Sequence, residues 1–165
     1  VLYPMGRPSA VADGDNPLAQ LTQFDPAGYR VRVKPRTGAL WIQGGPRARV
    51  FFRETPERAP TLNKTPLVKW HWRYVYVSST HTLLPTRLNL WHGRENGLLL
   101  HTKFLPSAVT RAREEKARQQ HFNEPSRFDA YYDAISDDPI LWHEGSRTFR
   151  DWRDAEEVGL LTVTR

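Results

Sequence analysis

Hydrophobic and polar side chains alternate with a period of two through the middle of this chain, which is typical of half-buried strands. The alternation begins at Tyr29, runs through residues 29–34 and ends at Pro35, which cannot donate a backbone hydrogen bond to a sheet. Further strands are predicted over residues 39–43, 48–53, 67–78, 87–92 and 98–104, with turns at 44–47 and 93–97. Together these segments predict five to seven short, mainly antiparallel strands.

The pattern becomes helical after Pro106. Residues 108–122 follow Ser107, a good N-cap, and are rich in helix-forming residues, but their apolar stripe is thin. A second helix begins at the N-cap Ser126 and ends at residues 137–139. Its apolar positions follow the i, i+3, i+4, i+7 spacing of an amphipathic helix: Phe128, Tyr131, Tyr132 and Ile135.

A third short helix is predicted from Ser146, with Phe149 and Trp152 facing inward and Gly159 ending it. Residues 160–164 are predicted to form a final strand. The fold class is therefore α+β: a small antiparallel β-sheet or barrel followed by a helical C-terminal appendage.

Charge and proline divide the chain into three predicted parts. Residues 1–24 contain three prolines and no sustained periodicity, so we expect an extended Pro-rich arm that needs a partner for order. Residues 25–105 form a basic antiparallel β domain with 14 Lys or Arg against four Asp or Glu. Residues 106–165 form a helical, acidic appendage with nine Lys or Arg against 12 Asp or Glu. This division indicates a polyanion on one side and protein on the other.

Composition excludes several classes of function. The chain has 165 residues, which fits one domain, and no Cys, which excludes disulfides, thiolate metal sites and a Cys nucleophile. No apolar run approaches the ~18 residues that indicate a transmembrane helix. The first residues show neither a signal core nor an Arg-rich transit pattern, so we expect a processed product or the ordered part of a longer chain.

A row of basic side chains is the first candidate site. Residues at alternate positions of a strand project from one face about 7 Å apart, which suits contact with successive phosphates of a nucleic acid. The row consists of Arg30, Arg32, Lys34 and Arg36, and the Gly-Gly turn adds Arg47 and Arg49. The alternative is the solvated face of an edge strand, where Lys and Arg discourage aggregation.

An aromatic stripe is the second candidate. On the strand predicted over residues 67–78 one face carries Trp70, Trp72, Tyr74 and Tyr76. We predict that this face is core, because four exposed aromatics would favour aggregation. The opposite face then offers RNA contacts from Lys69, His71 and Arg73. The alternative is that the aromatics themselves stack on bases.

The six histidines give no metal signature, since none has the i, i+4 spacing of a helical zinc motif and no Cys can join them. The acidic clusters read as solvated helix faces, and no phosphate loop or serine nucleophile motif is present. We therefore expect no metal, no cofactor and no catalytic residue. An enzymatic alternative is a small hydrolase that uses His71 or His101.

These features predict a non-enzymatic structural RNA-binding subunit of a large ribonucleoprotein, specifically an organellar (mitochondrial) ribosomal protein that contacts rRNA. We expect an intracellular protein of the mitochondrial matrix, with no membrane span and no DNA specificity. Neighbouring protein subunits are expected at the N-terminal arm and the C-terminal helices. The principal alternative is an RNA-free accessory or scaffold subunit of a multiprotein complex.

Overall fold

The computed structural model has an α+β fold of small antiparallel sheets and a few helices, which confirms the predicted class. It describes residues 1–12, 14–34, 40–77, 79–89, 97–118 and 129–163. The helices are α1 (Pro17–Gln20), α2 (Pro106–Arg118), α3 (Asp129–Ser136) and α4 (Trp152–Glu157). The strands are β1 (Gln23–Phe24), β2 (Arg30–Val33), β3 (Leu40–Gln43), β4 (Val75–Tyr76), β5 (Leu83–Leu84) and β6 (Arg147–Thr148). Short 3₁₀ helices cover Pro8–Ala10, Pro56–Arg58 and Thr86–Asn89, and Arg47–Phe51 is a π-helical turn.

The strands pair in three separate two-stranded antiparallel sheets: β1 with β6, β2 with β3, and β4 with β5. In the β2–β3 sheet Arg30 lies opposite Gln43 and Val33 opposite Leu40. The two strands predicted in this region are therefore confirmed over Arg30–Val33 and Leu40–Gln43. The β1–β6 sheet joins the first 24 residues to the C-terminal part of the chain, with Gln23 opposite Thr148.

The strand predicted over residues 48–53 is wrong, because Arg47–Phe51 is helical. Gly45 has a φ of +62°, which only glycine adopts readily, and Pro46 follows with helical angles. The chain therefore turns into a helix directly after β3, whose partner is the earlier strand β2.

The long strand predicted over residues 67–78 is also wrong, since only Val75–Tyr76 is a strand. Thr65 N donates to Thr80 O at 2.7 Å, so the ends of the segment are drawn together. Residues 67–74 form no ladder with any strand in the described part of the chain, and they project as a loop.

The hairpin predicted over residues 87–104 is not observed in its described part. Thr86–Asn89 is a 3₁₀ turn, and residues 90–96 lie outside the described residues. The backbone around Leu100 instead pairs in parallel with Leu2, whose N donates to Leu99 O at 2.8 Å. Leu100 therefore pairs with the start of the chain.

Residues 1–24 are not a separate arm. Met5 and Phe24 are fully buried, and Met5 N donates to Gln23 O at 2.7 Å across an antiparallel bridge. These residues contain several large apolar side chains, and burying each favours the folded state by about 1.5–3 kcal/mol. The N-terminal segment is therefore part of the fold.

One hydrophobic core draws on all three predicted parts of the chain. At its centre the ring of Phe104 lies 5.1 Å from that of Tyr3 and 5.0 Å from that of Phe51, and Phe51 meets Tyr131 edge-on at 5.3 Å. The three-part division of the sequence thus does not correspond to three separate cores. The buried cluster comprises Tyr3, Met5, Phe51, Phe52, Ala59, Leu62, Phe104, Ala112, Tyr131, Tyr132, Ile135 and Leu141.

Two of the predicted helices are confirmed over their described residues, since α2 and α3 pack against each other under the core. The third begins at the N-cap Asp151, because Ser146 is followed at once by β6. Gly159 follows it with a φ of +73°, as predicted. Trp152 is 39 % exposed and does not face inward. Residues 160–163 have no regular secondary structure, so the final strand is not observed there.

Candidate functional site

The basic row of β2 lies on an open surface. Arg30, Arg32 and Lys34 are all exposed, while Arg36 falls outside the described residues. Val31 and Val33 between them are 60 % and 56 % exposed, so neither face of β2 is covered by the described part of the chain. Lys34 Nζ lies 4.0 Å from the ring centre of Trp41 on β3, a cation–π contact that holds the lysine over the sheet. The row is therefore accessible to a large ligand.

Arg49 has a structural partner instead of a free guanidinium. Its Nη2 donates to Oδ1 and Oδ2 of the buried Asp25 at 3.1 and 3.0 Å, and to Leu141 O at 2.5 Å. Asp25 is only 4 % exposed, so its charge needs this partner inside the fold. We therefore remove Arg49 from the predicted RNA-contacting set.

The rest of the Asp25 environment is also satisfied by the protein. His143 Nε2 lies 3.3 Å from Asp25 Oδ1, and Ser146 Oγ donates to the same oxygen at 3.3 Å. Ser146 Oγ also accepts from the backbone N of His143, so its hydroxyl contacts no imidazole nitrogen in these hydrogen bonds. A nucleophilic serine is activated by a hydrogen bond from its hydroxyl to an imidazole nitrogen. Here the Ser146 hydroxyl bonds to the Asp25 carboxylate instead, so Ser146, His143 and Asp25 do not form a catalytic triad.

The aromatic stripe is exposed, which corrects the prediction that it is core. Trp70 is 71 % exposed and Trp72 is 73 % exposed, because residues 67–74 form the projecting loop. Lys69, His71 and Arg73 are exposed on the same loop and do not form the opposite face of a sheet. Cations and aromatics therefore share one surface, called here the tryptophan loop.

Contacts within the tryptophan loop hold its side chains together. The Arg73 guanidinium carbon lies 4.6 Å from the ring centre of Trp72, and the His71 ring stacks on Trp72 at 5.9 Å. At the base of the loop Tyr76 donates its hydroxyl hydrogen bond to Thr65 O at 2.5 Å. An exposed aromatic flanked by cations is the side-chain combination that stacks on bases and neutralises phosphates.

Arg47 lies in a different place, at a cleft of about 820 Å³. The cleft is bordered by the turn that carries Arg47, by the extended residues 101–105 and by helices α2 and α3. We call it the cationic cleft. Its polar lining residues are Arg47, His101, Thr102, Lys103, Ser107, Arg111, Glu115, Tyr131 and Tyr132.

Positive charge accumulates around Lys103. Burial lowers the pKa of its ammonium to about 7, and the nearby charges of Arg47, Lys64 and Arg111 lower it further in the same direction. Burial lowers the pKa of His101 to about 4, and repulsion from the positive charges of Lys64 and Lys103 acts in the same direction. Glu115 also lines the cleft, where burial first and this carboxylate second raise the pKa of Tyr132.

Three buried polar atoms of the cleft residues have no partner at good hydrogen-bond geometry in the described part of the chain: Arg47 Nε, His101 Nδ1 and the Tyr131 hydroxyl, of which the last lies close enough to the Arg47 side chain to interact with it. Burial raises the pKa of Tyr131, so the hydroxyl stays protonated and able to donate. Unsatisfied buried polar groups are few in native proteins, and each costs about 1–3 kcal/mol. Three at one cleft indicate a place where a polar ligand would supply the missing partners.

Sequence reasoning missed Lys103, Arg111 and Tyr131 as a group. They come from an extended segment and two helices, so no spacing along the chain links them. The sequence predicts Arg47 as a surface contact because it lies in the Gly-Gly turn beside the basic row. Only the helical turn directs Arg47 to the cleft.

Within the described residues no group of three His, Asp or Glu side chains is placed to hold a metal ion. No helix of that part of the chain is both long and apolar enough to cross a bilayer.

Comparison with family models, with curated proteins and with solved structures finds no match to this chain.

Proposed function

We propose that the protein is a non-enzymatic RNA-binding subunit of a large ribonucleoprotein. Two exposed surfaces support this proposal: the basic row of β2 and the tryptophan loop. The first offers three cations for backbone phosphates, and the second offers aromatic faces for bases.

The exposure of Trp70 and Trp72 is the observation that carries the proposal. Large apolar side chains at 71 % and 73 % exposure are unusual on a protein without a partner, because they favour association. Their immediate neighbours are Lys69, His71 and Arg73, which favour a ligand with both rings and negative charge. RNA has both.

The type of assembly is proposed from the sequence. The chain has 24 basic residues and a net charge of +6, and its basic residues are concentrated in residues 25–105. An organellar ribosome, with rRNA as the ligand, is the assembly we propose. Residues 1–24 are packed into the core, so we no longer assign partner contacts to them and keep the C-terminal helices as the proposed protein contact.

Isolation of the native protein tests this proposal. We expect it to co-purify with RNA and to sediment as a large particle whose size falls after ribonuclease treatment. A large particle that survives ribonuclease unchanged and contains no RNA would favour the RNA-free scaffold instead. A lone subunit free of RNA would contradict both.

A small His-dependent enzyme is a second candidate, and one observation favours it. His101 lies at the cationic cleft beside Lys103, and strongly shifted pKa values cluster at catalytic sites. With its pKa lowered to about 4, His101 is neutral at pH 7 and is available as a base or hydrogen-bond donor. A hydrolase activity that is lost in a His101→Ala variant but kept in a His71→Ala variant would establish this enzymatic function.

A further inference from the structure

We propose that the cationic cleft is a binding site for the phosphate group of a ligand, held by Arg47, Lys103 and Arg111. This site goes beyond the RNA surface proposed above, because its residues belong neither to the basic row of β2 nor to the tryptophan loop. The charge of the cleft, its unpaired polar atoms and its size support this site.

The cations of the cleft lack acidic partners. Among the described residues no carboxylate forms an ion pair with Arg47, Lys103 or Arg111, although six other arginines have one. Glu115 is the one acidic residue among the described residues that line the cleft. After burial, its carboxylate is the next cause of the raised pKa of Tyr132. The positive charges of Arg47, Lys64 and Arg111 repel that of Lys103, so a bound dianion would relieve this repulsion.

Two cations are held in place by aromatic rings. The Arg47 guanidinium carbon lies 5.6 Å from the ring centre of Tyr3, and Lys103 Nζ lies 5.5 Å from that of Tyr131. The Tyr3 ring in turn stacks on His101 at 5.4 Å. Since Tyr3 and Tyr131 are both buried in the core, these contacts fix the cations before any ligand arrives.

The unpaired atoms are of the kind that oxyanions satisfy. Arg47 Nε and the Tyr131 hydroxyl are donors, and His101 can present an N–H at its unpaired Nδ1 in one tautomer. A phosphate offers several acceptor oxygens, and guanidinium binds them in a planar fork. Arg47 alone therefore supplies both charge and an unfilled donor.

The cleft is larger than one phosphate. Its volume of about 820 Å³ lies in the range of about 300–1,000 Å³ of small-molecule sites. Phe52 and Ile135 add apolar lining for the remainder of the ligand. The phosphate could therefore belong to a free phosphorylated small molecule or to a nucleotide of RNA.

Calorimetric titration of the full chain with inorganic phosphate, and with sulfate as a second dianion, tests the site. We expect saturable binding of both, and a loss of affinity of about tenfold or more in Lys103→Gln and Arg111→Gln, since each removes a charged hydrogen-bond donor. Arg87→Gln is the matched control, because it removes one exposed arginine that does not line the cleft. Circular dichroism establishes that each variant is folded. Arg111 is exposed, so its replacement leaves the core intact.

A parallel titration with a structured RNA hairpin separates the two sources of phosphate. If the Lys103→Gln and Arg111→Gln variants lose RNA affinity to the same extent as phosphate affinity, the cleft receives an RNA phosphate. If they lose phosphate binding alone, the ligand is a free phosphorylated molecule, and RNA binding by β2 is unaffected. Absence of saturable phosphate and sulfate binding overturns the site, as does equal weakening in Arg87→Gln.

Discussion

Lys103 has the most unfavourable electrostatic environment that we describe in this fold. Its ammonium is half-buried and faces Arg47, Lys64 and Arg111, so the folded state holds the proton less tightly than the unfolded chain does. A pKa lowered from its ordinary value to about 7 means that the unfolded state binds more protons between about pH 7 and pH 10.5. Stability should therefore rise with pH through that window.

Replacing Lys103 with Met tests this environment. We expect the variant to be more stable than the native chain by about 1–3 kcal/mol at pH 7, after allowance for solvent screening, and to lose the rise in stability between pH 7 and pH 9. Urea denaturation at both pH values measures it. A native chain whose stability is flat over this range, or a destabilised Met variant, would contradict the proposed cost of the buried ammonium.

Asp25 is the opposite case, a buried charge that is fully partnered. Replacing Asp25 with Asn should destabilise the fold by about 2–4 kcal/mol, because the half-buried Arg49 guanidinium would lose the anion that partners it. Glu157→Gln is the control, since it breaks the exposed Arg147–Glu157 pair and should cost less than about 1 kcal/mol. Urea denaturation compares the two, and equal effects would show that Asp25 is not a structural anchor.

Single residues could be predicted from sequence only where their direction follows from a local pattern. Arg30, Arg32 and Lys34 were predicted as an exposed row because the strand period of two is local. Arg47 and Arg49 carry the same charge two positions apart, but one lies at the cleft and the other pairs with Asp25. That difference depends on residues distant in sequence, so spacing could not reveal it.

At the scale of elements, the tryptophan loop shows how an alternating pattern can mislead. Alternation predicts a strand when a partner strand is available to complete the backbone hydrogen bonds. Around residues 67–74 the closing bonds at Thr65 and Thr80 leave the intervening backbone at the surface. The helices were predicted better, because their spacing and end signals are local.

The exposure of the loop leads to a specific prediction for Trp72. Replacing it with Ala should change the free energy of unfolding by less than about 0.5 kcal/mol, as expected for a surface residue. It should weaken RNA binding by about 1–3 kcal/mol if the ring stacks on a base. Thermal denaturation and a filter-binding titration measure the two effects.

Trp142, which is 49 % exposed and lies outside the tryptophan loop, supplies the matched control. Trp142→Ala should leave RNA affinity unchanged. A Trp72→Ala variant that unfolds would show that the Trp72 ring is part of the core. One that is folded and binds RNA normally would remove the loop from the interface.

At the scale of the whole molecule, the fold class could be predicted and the domain arrangement could not. Strand and helix signals are local, so α+β followed from the pattern. The three predicted parts, in contrast, share one core, in which Tyr3, Phe104 and Tyr131 contact one another or a common neighbour. Helices α2 and α3 together carry four basic and four acidic residues, so the acidic excess of residues 106–165 lies outside the helix pair that packs on the core.

The central claim is that the exposed cations of β2 contact RNA phosphates. Its most direct measurement is the affinity for a structured RNA hairpin as a function of salt, for the native chain and for a variant with Arg30, Arg32 and Lys34 replaced by Gln. All three side chains are exposed, so the variant should fold normally.

Phosphate contacts release counterions, and each contributes about 0.7–0.9 to the slope of log affinity against log salt. We expect the native affinity to fall steeply between about 50 and 200 mM salt and the slope of the variant to be smaller by about 2 to 3. A native affinity that is undetectable at low salt, or a slope that is the same in both chains, would contradict the claim.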